Sequence, residues 1–251
     1  MNFNSSAYKT IVFLFVVMPL FCSYAFASEN ASAEINFTPI EHASFVMQTN
    51  TITIYVDPVG TIGRYGDFPA PDIILITDIH YDHLDSRVVG ALKKETTTVI
   101  GPQQVIAQLG YGEAIAAGNI KTINDVSIEA VAAYNLTQDR LQFHERGRGV
   151  GYVVTMEGKR IYISGDTEDV PEMRNLKDID YAFVCMNLPY TMSVEQAADA
   201  VLAFCPNVVF PYHFRGKENV SDIEHFRSLV EEKNQEIDVR VLSWYPHSVN
   251  K

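Results

Sequence analysis

Thr77-Asp78-Ile79-His80-Tyr81-Asp82-His83 packs four potential metal ligands into six residues. It follows Asp72 to Thr77, a nearly all-apolar run of the kind expected of a strand covered on both faces. Burying such polar groups for structure alone is costly. Alternation gives them a use: as the chain leaves the strand, Asp78, His80 and Asp82 point one way, and His83 joins them where the chain turns. Two imidazoles and two carboxylates suit a divalent cation such as zinc, iron or manganese.

Upstream of this stretch, alternating side chains predict short strands over Asn36 to Ile40, Ser44 to Gln48 and Thr51 to Val56. Asp57-Pro58 stops this first sheet, and Val59 to Pro71, rich in Gly and Pro, reads as a loop of the sort that borders active sites. Downstream, helical periodicity predicts helices over Ser86 to Lys94 and Gln103 to Leu109. Strand patterns return at Thr97 to Ile100, Val126 to Ala133, Gly149 to Met156 and Arg160 to Ser164, the last two joined by a Glu157-Gly158 turn. The final third alternates strand Tyr181 to Met186, helix Ser193 to Phe204, strand Val208 to Tyr212, helix Ser221 to Gln235 and strand Ile237 to Leu242. Ser193-x-x-Gln196 and Ser221-x-x-Glu224 have the capping-box form. Strand-rich halves with interspersed helices predict an α/β fold in which two mixed sheets face each other with helices outside, an αββα sandwich.

The segment from Asp78 to His83 resembles the HxHxDH signature of metallo-β-lactamase-fold hydrolases, with Asp78 standing where the first histidine usually is. The rest of that family's pattern occurs in order. His144 in Phe143-His144-Glu145-Arg146-Gly147 resembles the third metal-binding histidine. Asp166 in Ser164-Gly165-Asp166-Thr167 resembles the carboxylate that bridges two metals, and His213 in Pro211-Tyr212-His213-Phe214-Arg215-Gly216 resembles the last histidine. The resemblance implies one site of Asp78, His80 and His144, a second of Asp82, His83 and His213, and Asp166 between them. It implies two divalent metal ions, zinc first with manganese or iron as alternatives, and hydrolysis of an ester, lactone or phosphodiester by hydroxide on the metals, with Asp82 taking the proton. Gly149-Val150-Gly151-Tyr152, Gly165-Asp166-Thr167 followed by Pro171-Glu172-Met173, and Asp57-Pro58 look most like the subgroup holding ascorbate-phosphate lactonase and N-acyl-phosphatidylethanolamine phospholipase D. Fold alone does not choose the substrate. Two other readings stand beside hydrolysis: a non-haem iron or di-iron oxidoreductase, which an added carboxylate ligand suits, and a metal-dependent binding protein without turnover.

Asp78 changes the charge sum. Two divalent ions, three aspartates and a hydroxide leave a neutral centre, where a histidine at position 78 leaves one positive charge. The expectation is a softer Lewis acid, a higher pKa for its water, and a harder metal than zinc at the first site. Two alternatives remain for Asp78, namely a group orienting His80 or His144 from behind, or a first site that has degraded to leave one metal. His42, in Glu41-His42-Ala43-Ser44-Phe45, is a candidate neighbour of the metals or a hydrogen-bonded structural histidine. Tyr134, Asn135, Tyr190 and Arg215 lie in loops at the same strand ends and are candidate substrate contacts, with Arg215 foremost because it follows His213 by two residues.

The chain has 251 residues, 47% hydrophobic and 20% charged, enough for one well-buried domain. Residues 1–27 differ from the rest: Lys9 is the only charge, Ile11 to Phe21 is apolar, and Ala25-Phe26-Ala27 has a small-x-small cleavage pattern, predicting a secretory signal and a periplasmic or secreted domain over 28–251. The apolar stretch falls short of the ~20 residues of a spanning helix, so no membrane span is expected after cleavage. Cleavage takes one lysine and no acid, moving the formal charge from −12 to −13, and such a surface repels nucleic acid. The expected partner is a small-molecule substrate. Cys22 leaves with the signal. Cys185 and Cys205, at opposite ends of a strand and its returning helix of ~18 Å, are too far apart for the ~7 Å limit of a disulfide and are expected as buried free thiols.

Overall fold

Period-two burial decides how the first half folds. The structure is a computed structural model that describes residues 34–217 and 219–245, together with Met1. Apart from Met1, the predicted leader over 1–27 with its Lys9 and Cys22 lies outside the described residues, as does His247. Strands β1 (Asn36–Glu41), β2 (Ser44–Gln48), β3 (Thr53–Val56), β4 (Ile73–Leu75), β5 (Thr98–Gly101) and β6 (Glu113–Ala114) form a six-stranded sheet in chain order. Along β2, β3 and β4, Phe45, Met47, Ile54, Val56, Ile73 and Leu75 enter the main core, while Val46, Tyr55 and Ile74 enter a separate cluster. That cluster includes Val88 and Val89 of α1 (Ser86–Leu92) and Val105 of α2 (Gln103–Leu109). One face of the sheet therefore meets helices and the other meets the second sheet. Each large apolar side chain so buried stabilises by ~1.5–3 kcal/mol.

The second sheet runs β13-β12-β11-β10-β9-β8-β7. Its strands are β7 (Ile120–Ile123), β8 (Val126–Ala133), β9 (Gly149–Met156), β10 (Lys159–Ile163), β11 (Tyr181–Cys185), β12 (Val208–Tyr212) and β13 (Asp238–Val239). Phe45 of β2 stacks on Phe183 of β11 with ring centroids 4.4 Å apart, tying the sheets together. Tyr162 of β10 points the other way, to Phe204 of α4 (Val194–Phe204) at 5.7 Å. With α3 (Pro171–Arg174) and α5 (Ile223–Glu231), α4 completes the outer layer, so the predicted αββα sandwich of two facing mixed sheets is the observed one.

Several elements differ from the sequence expectation. β6, β7 and α3 are too short to leave a periodic signal. The predicted strand over Ile237 to Leu242 shrinks to Asp238–Val239. The last helix starts after Asp222, whose side chain accepts from the His225 N–H at 2.9 Å. Ser221 is not its cap, because its hydroxyl donates to the Met186 carbonyl instead. The Ser193–Gln196 capping box is present on α4. Cys185 and Cys205 are both free, but Cys205 is exposed rather than buried, because it caps the C-terminus of α4 in a left-handed conformation.

Parallel pairing positions the chemistry. β3 and β4 are parallel, as are β10, β11 and β12. Their C-terminal ends therefore lie together within each sheet, and Asp57, Thr77 to His83, Asp166, Asn187 and His213 all follow such ends. Among the described residues no helix is long and apolar enough to cross a membrane.

Candidate metal centre

Where β4 ends, the chain turns tightly: the N–H groups of His83 and Leu84 both donate to the His80 carbonyl, at 3.0 and 2.8 Å. That turn presents the ligand-bearing side chains. Asp78, His80 and His144 each offer an atom within 4.8 Å of the others, and Asp82, His83 and His213 do the same. These are the two triads that the resemblance implies.

Asp166 lies between them and divides its oxygens. Oδ2 is 3.4 Å from His83 Nε2 and 3.0 Å from His144 Nε2, while Oδ1 is 3.3 Å from His213 Nε2. His83 Nε2, His144 Nε2 and Asp166 Oδ1 are buried and make no hydrogen bond. These atoms approach at ion-pair distance without hydrogen-bond geometry, as lone pairs converging on a cation do. Buried polar atoms are rarely left so, and a donor set of imidazole nitrogen and carboxylate oxygen fits divalent metal. Gly165 makes Asp166's approach possible: it has φ +62, and a Cβ there would fall 2.9 Å from the Val150 carbonyl oxygen. His42, Asp57 and His213 also hold left-handed backbone, with φ of 50, 43 and 45, a conformation that persists for such residues only where the surroundings impose it.

Charge in the cluster is set by mutual contact. Burial alone would raise the Asp166 pKa, but His213, His83 and His144 outweigh it and hold the carboxyl well below its usual range. Burial likewise acts to lower His83, yet Asp166 and Asp57 hold it well above the ordinary value. His213 is pushed up to about 9, against burial, chiefly by Asp166. Such a cluster attracts cations, and a metal must displace the protons the imidazoles carry.

Behind the ligands sits a set of orienting groups that the sequence reading missed. Asp57, fully buried, accepts from His83 Nδ1 at 2.8 Å and from the Thr77 N–H and hydroxyl, each at 2.7 Å. It fixes which His83 nitrogen faces inward. The sequence shows Asp57 as the residue that stops a strand and as part of the subgroup resemblance, with no sign of this contact to His83. His144 is held through Nδ1, which lies 3.1 Å from the Tyr190 carbonyl and 3.3 Å from Asn135 Nδ2. Asn135 Nδ2 also donates to the carbonyls of Tyr190 and Arg140 at 2.7 and 2.8 Å. Asn135, a candidate substrate contact from the sequence, is buried and occupied behind His144.

Arg148 is the other omission. Its Nη2 lies 3.0 Å from Asp78 Oδ2, and it also donates to the Phe143 carbonyl. The Asp78–Arg148 pair is neutral, as a histidine at position 78 would be, so the loss of positive charge expected from the sequence is offset. Asp78 Oδ2 also lies 3.8 Å from His80 Nδ1 and 3.9 Å from His144 Nε2.

The four remaining candidates each have their own setting. Tyr190 lines a cleft of about 180 Å³ together with His80, Tyr81, Asp82, Phe143, His144, Asp166 and Asn187. His42 flanks the centre, its ring 5.4 Å from that of His213 and its Nδ1 3.2 Å from the Tyr245 hydroxyl, and burial followed by His213 lowers its pKa to about 4. Arg215 stacks its guanidinium 4.0 Å above the Tyr245 ring. Tyr134 donates its hydroxyl to Glu172 at 3.0 Å and lies under Arg146, an arrangement of loop packing.

Residues 36–213 match the family model of the β-lactamase superfamily domain. A UPF0173 metal-dependent hydrolase from Pyrococcus furiosus is 29% identical over 79% of this chain and 93% of its own. A crystal structure of a candidate metal-dependent hydrolase from Parabacteroides distasonis superposes with a TM-score of 0.77 at 40% identity, covering 85% of this chain and 94% of that one. The diiron β-hydroxylase CmlA from Streptomyces venezuelae shares the fold, with a TM-score of 0.65 and 16% identity over 84% of this chain and 53% of its own. The chain thus belongs to the β-lactamase superfamily domain family and, like the relatives it matches, is a metal-dependent hydrolase of the metallo-β-lactamase fold.

Proposed function

We propose that this protein is exported and hydrolyses an ester, lactone or phosphodiester with two divalent ions, zinc first, divided between the triads Asp78–His80–His144 and Asp82–His83–His213. The observation that carries the reading is Asp166, whose Oδ2 lies between His144 of the first triad and His83 of the second while its Oδ1 faces His213 of the second. When bound, such ions polarise a substrate oxygen and lower the pKa of a coordinated water. The chain's own residues do the rest. Asp57 holds His83 and the Tyr190 carbonyl holds His144, each fixing the tautomer whose Nε2 faces inward. Arg148 offsets the charge of Asp78. Asp82, at the cleft and 3.5 Å from His213 Nε2, is the carboxylate placed to take a proton from water and deliver it to the leaving group. Export rests on the residue 1–27 pattern of Lys9, Ile11 to Phe21 and Ala25-Phe26-Ala27.

The test is metal analysis and turnover on purified protein loaded in turn with zinc, manganese and iron. Two ions per chain and turnover of an ester, lactone or phosphodiester are expected. One ion at full activity overturns the paired-ion assignment. Iron with a visible-region band and no hydrolysis favours the oxidoreductase reading instead.

A further inference from the structure

Asn187 has two amide hydrogens and, among the described residues, one protein acceptor for them. It follows β11 and is buried at 2% exposure on the wall of the cleft. Its backbone N–H donates to Thr191 Oγ1 at 3.1 Å, so the threonine's own proton is free to go to Asn187 Oδ1, with which it is hydrogen-bonded. That fixes the amide: the oxygen faces Thr191 and the NH2 faces the centre. The polar neighbour of Nδ2 is His213 Nε2, at 3.4 Å. His213 Nε2 also faces Asp82 Oδ2 at 3.5 Å and Asp166 Oδ1 at 3.3 Å. That nitrogen can take at most one of the two amide hydrogens, and the second N–H has no other partner among the described residues on the wall of the cleft, where substrate must sit.

The remaining wall is aromatic. Tyr81 stands at the rim, 88% exposed, and Phe143 meets Tyr190 edge to face with centroids 5.2 Å apart. The charged lining groups apart from the histidines are the carboxylates Asp82 and Asp166, and among the described residues the lining contributes no Lys or Arg. A phosphodiester carries an anionic oxygen through the whole reaction, and apart from the ions themselves the lining offers no Lys or Arg to hold it. A carbonyl becomes anionic only in the transition state, where one preformed N–H suffices to favour it.

We infer that this cleft takes an uncharged acyl ester or lactone with an apolar ring or chain, that Asn187 Nδ2 donates to its carbonyl oxygen, and that Phe143 and Tyr190 hold the apolar part. The inference rests on the hydrolase reading above and narrows it. In the reaction the water oxygen bonds to the acyl carbon and the bond from that carbon to the alkoxide oxygen breaks. One water proton ends on the alkoxide and the other on the carboxylic acid, which ionises in neutral solution. No other reactant is needed.

The test uses zinc-loaded protein with 4-nitrophenyl acetate, 4-nitrophenyl phenylacetate and bis(4-nitrophenyl) phosphate. The phenylacetate should have the lowest KM, and the phosphodiester the lowest kcat/KM. In Asn187→Ala, kcat for both esters should fall by about 10²–10³-fold with KM and metal content little changed. Thr191→Val, which keeps the volume but frees the amide to turn, should lose about tenfold in kcat and so tests the donor even if Asn187→Ala does not fold. Phe143→Ala should raise KM for the phenylacetate about tenfold and leave the acetate unmoved. Phosphodiester turnover equal to or above the esters overturns this inference and leaves the hydrolase reading standing. So does an Asn187→Ala protein that keeps its kcat. Turnover of none of the three defeats the hydrolase reading itself, and this inference with it.

Discussion

Asp57→Asn tests whether a buried carboxylate sets the state of the metal centre. The side chain keeps its size and loses one acceptor. Asp57 Oδ1 accepts from the Thr77 N–H at 2.7 Å, and Oδ2 accepts from the Thr77 hydroxyl at 2.7 Å and His83 Nδ1 at 2.8 Å. Asparagine can satisfy the backbone N–H with its oxygen, which puts NH2 where Oδ2 was. His83 then meets a donor and must turn Nδ1 into an acceptor, which moves its proton to Nε2. That nitrogen points at Asp166 Oδ2, 3.4 Å away, and can no longer offer a lone pair to a metal. Restoring the useful tautomer forfeits a charge-assisted hydrogen bond of ~1.5–3 kcal/mol. Losses of metal affinity on removing such an outer partner are about 10–100-fold. The expected result is therefore a drop of that size in zinc affinity, measured by chelator competition at fixed pH. Without metal, the melting temperature should fall by ~2–4 °C for each kcal/mol lost. A zinc affinity within about threefold of the parent refutes the argument, because the tautomer would then not depend on Asp57.

Three further outcomes follow from contacts around the centre. Arg148→Gln removes a positive charge 3.0 Å from Asp78 Oδ2. A nearby positive charge favours formation of hydroxide at the centre, so on its loss the rising limb of the pH–rate profile should move up by about one unit with metal retained; an unmoved limb denies Arg148 its compensating role. His42 has its pKa lowered from 6.5 to about 4 by burial and then by His213. The unfolded chain therefore binds the extra proton first, and stability is present above pH 6.5 and lost as pH falls through that window toward 4. His42→Asn, which tolerates the φ of 50, should flatten the fall in melting temperature of metal-free protein over this range, and parallel curves for the two proteins would contradict it. Gly151→Ala places a Cβ 2.6 Å from the Ile163 carbonyl oxygen and 2.7 Å from that of Ser164. Neither backbone atom can yield cheaply, so destabilisation of ~1–3 kcal/mol is expected by denaturant titration, and an unchanged midpoint would show that the strands part there.

The sequence alone determined the elements with a strong local signature. The alternation Thr51-Ile52-Thr53-Ile54 leading into β3 and Val126-Ser127-Ile128-Glu129 in β8, the apolar run of β4 and the capping box of α4 each encode their structure within a few residues. The segment Asp78 to His83 and the ordered His144, Asp166 and His213 mark the centre because ligand chemistry needs those residue types at strand ends. Tertiary structure decided which groups face the ligands. Asp57 reaches His83 across 26 residues, Asn135 reaches the Tyr190 carbonyl across 55, and Arg148 reaches Asp78 across 70. No local pattern records these pairings, because a carboxylate that stops a strand and one that orients a histidine look alike until the parallel strands bring their ends together. Cys205 shows the same division: its helix was legible, but its exposure depended on how the chain leaves α4. Local sequence specifies backbone periodicity and ligand chemistry, whereas hydrogen-bond partners, burial and net charge at the centre depend on what packs across the sandwich.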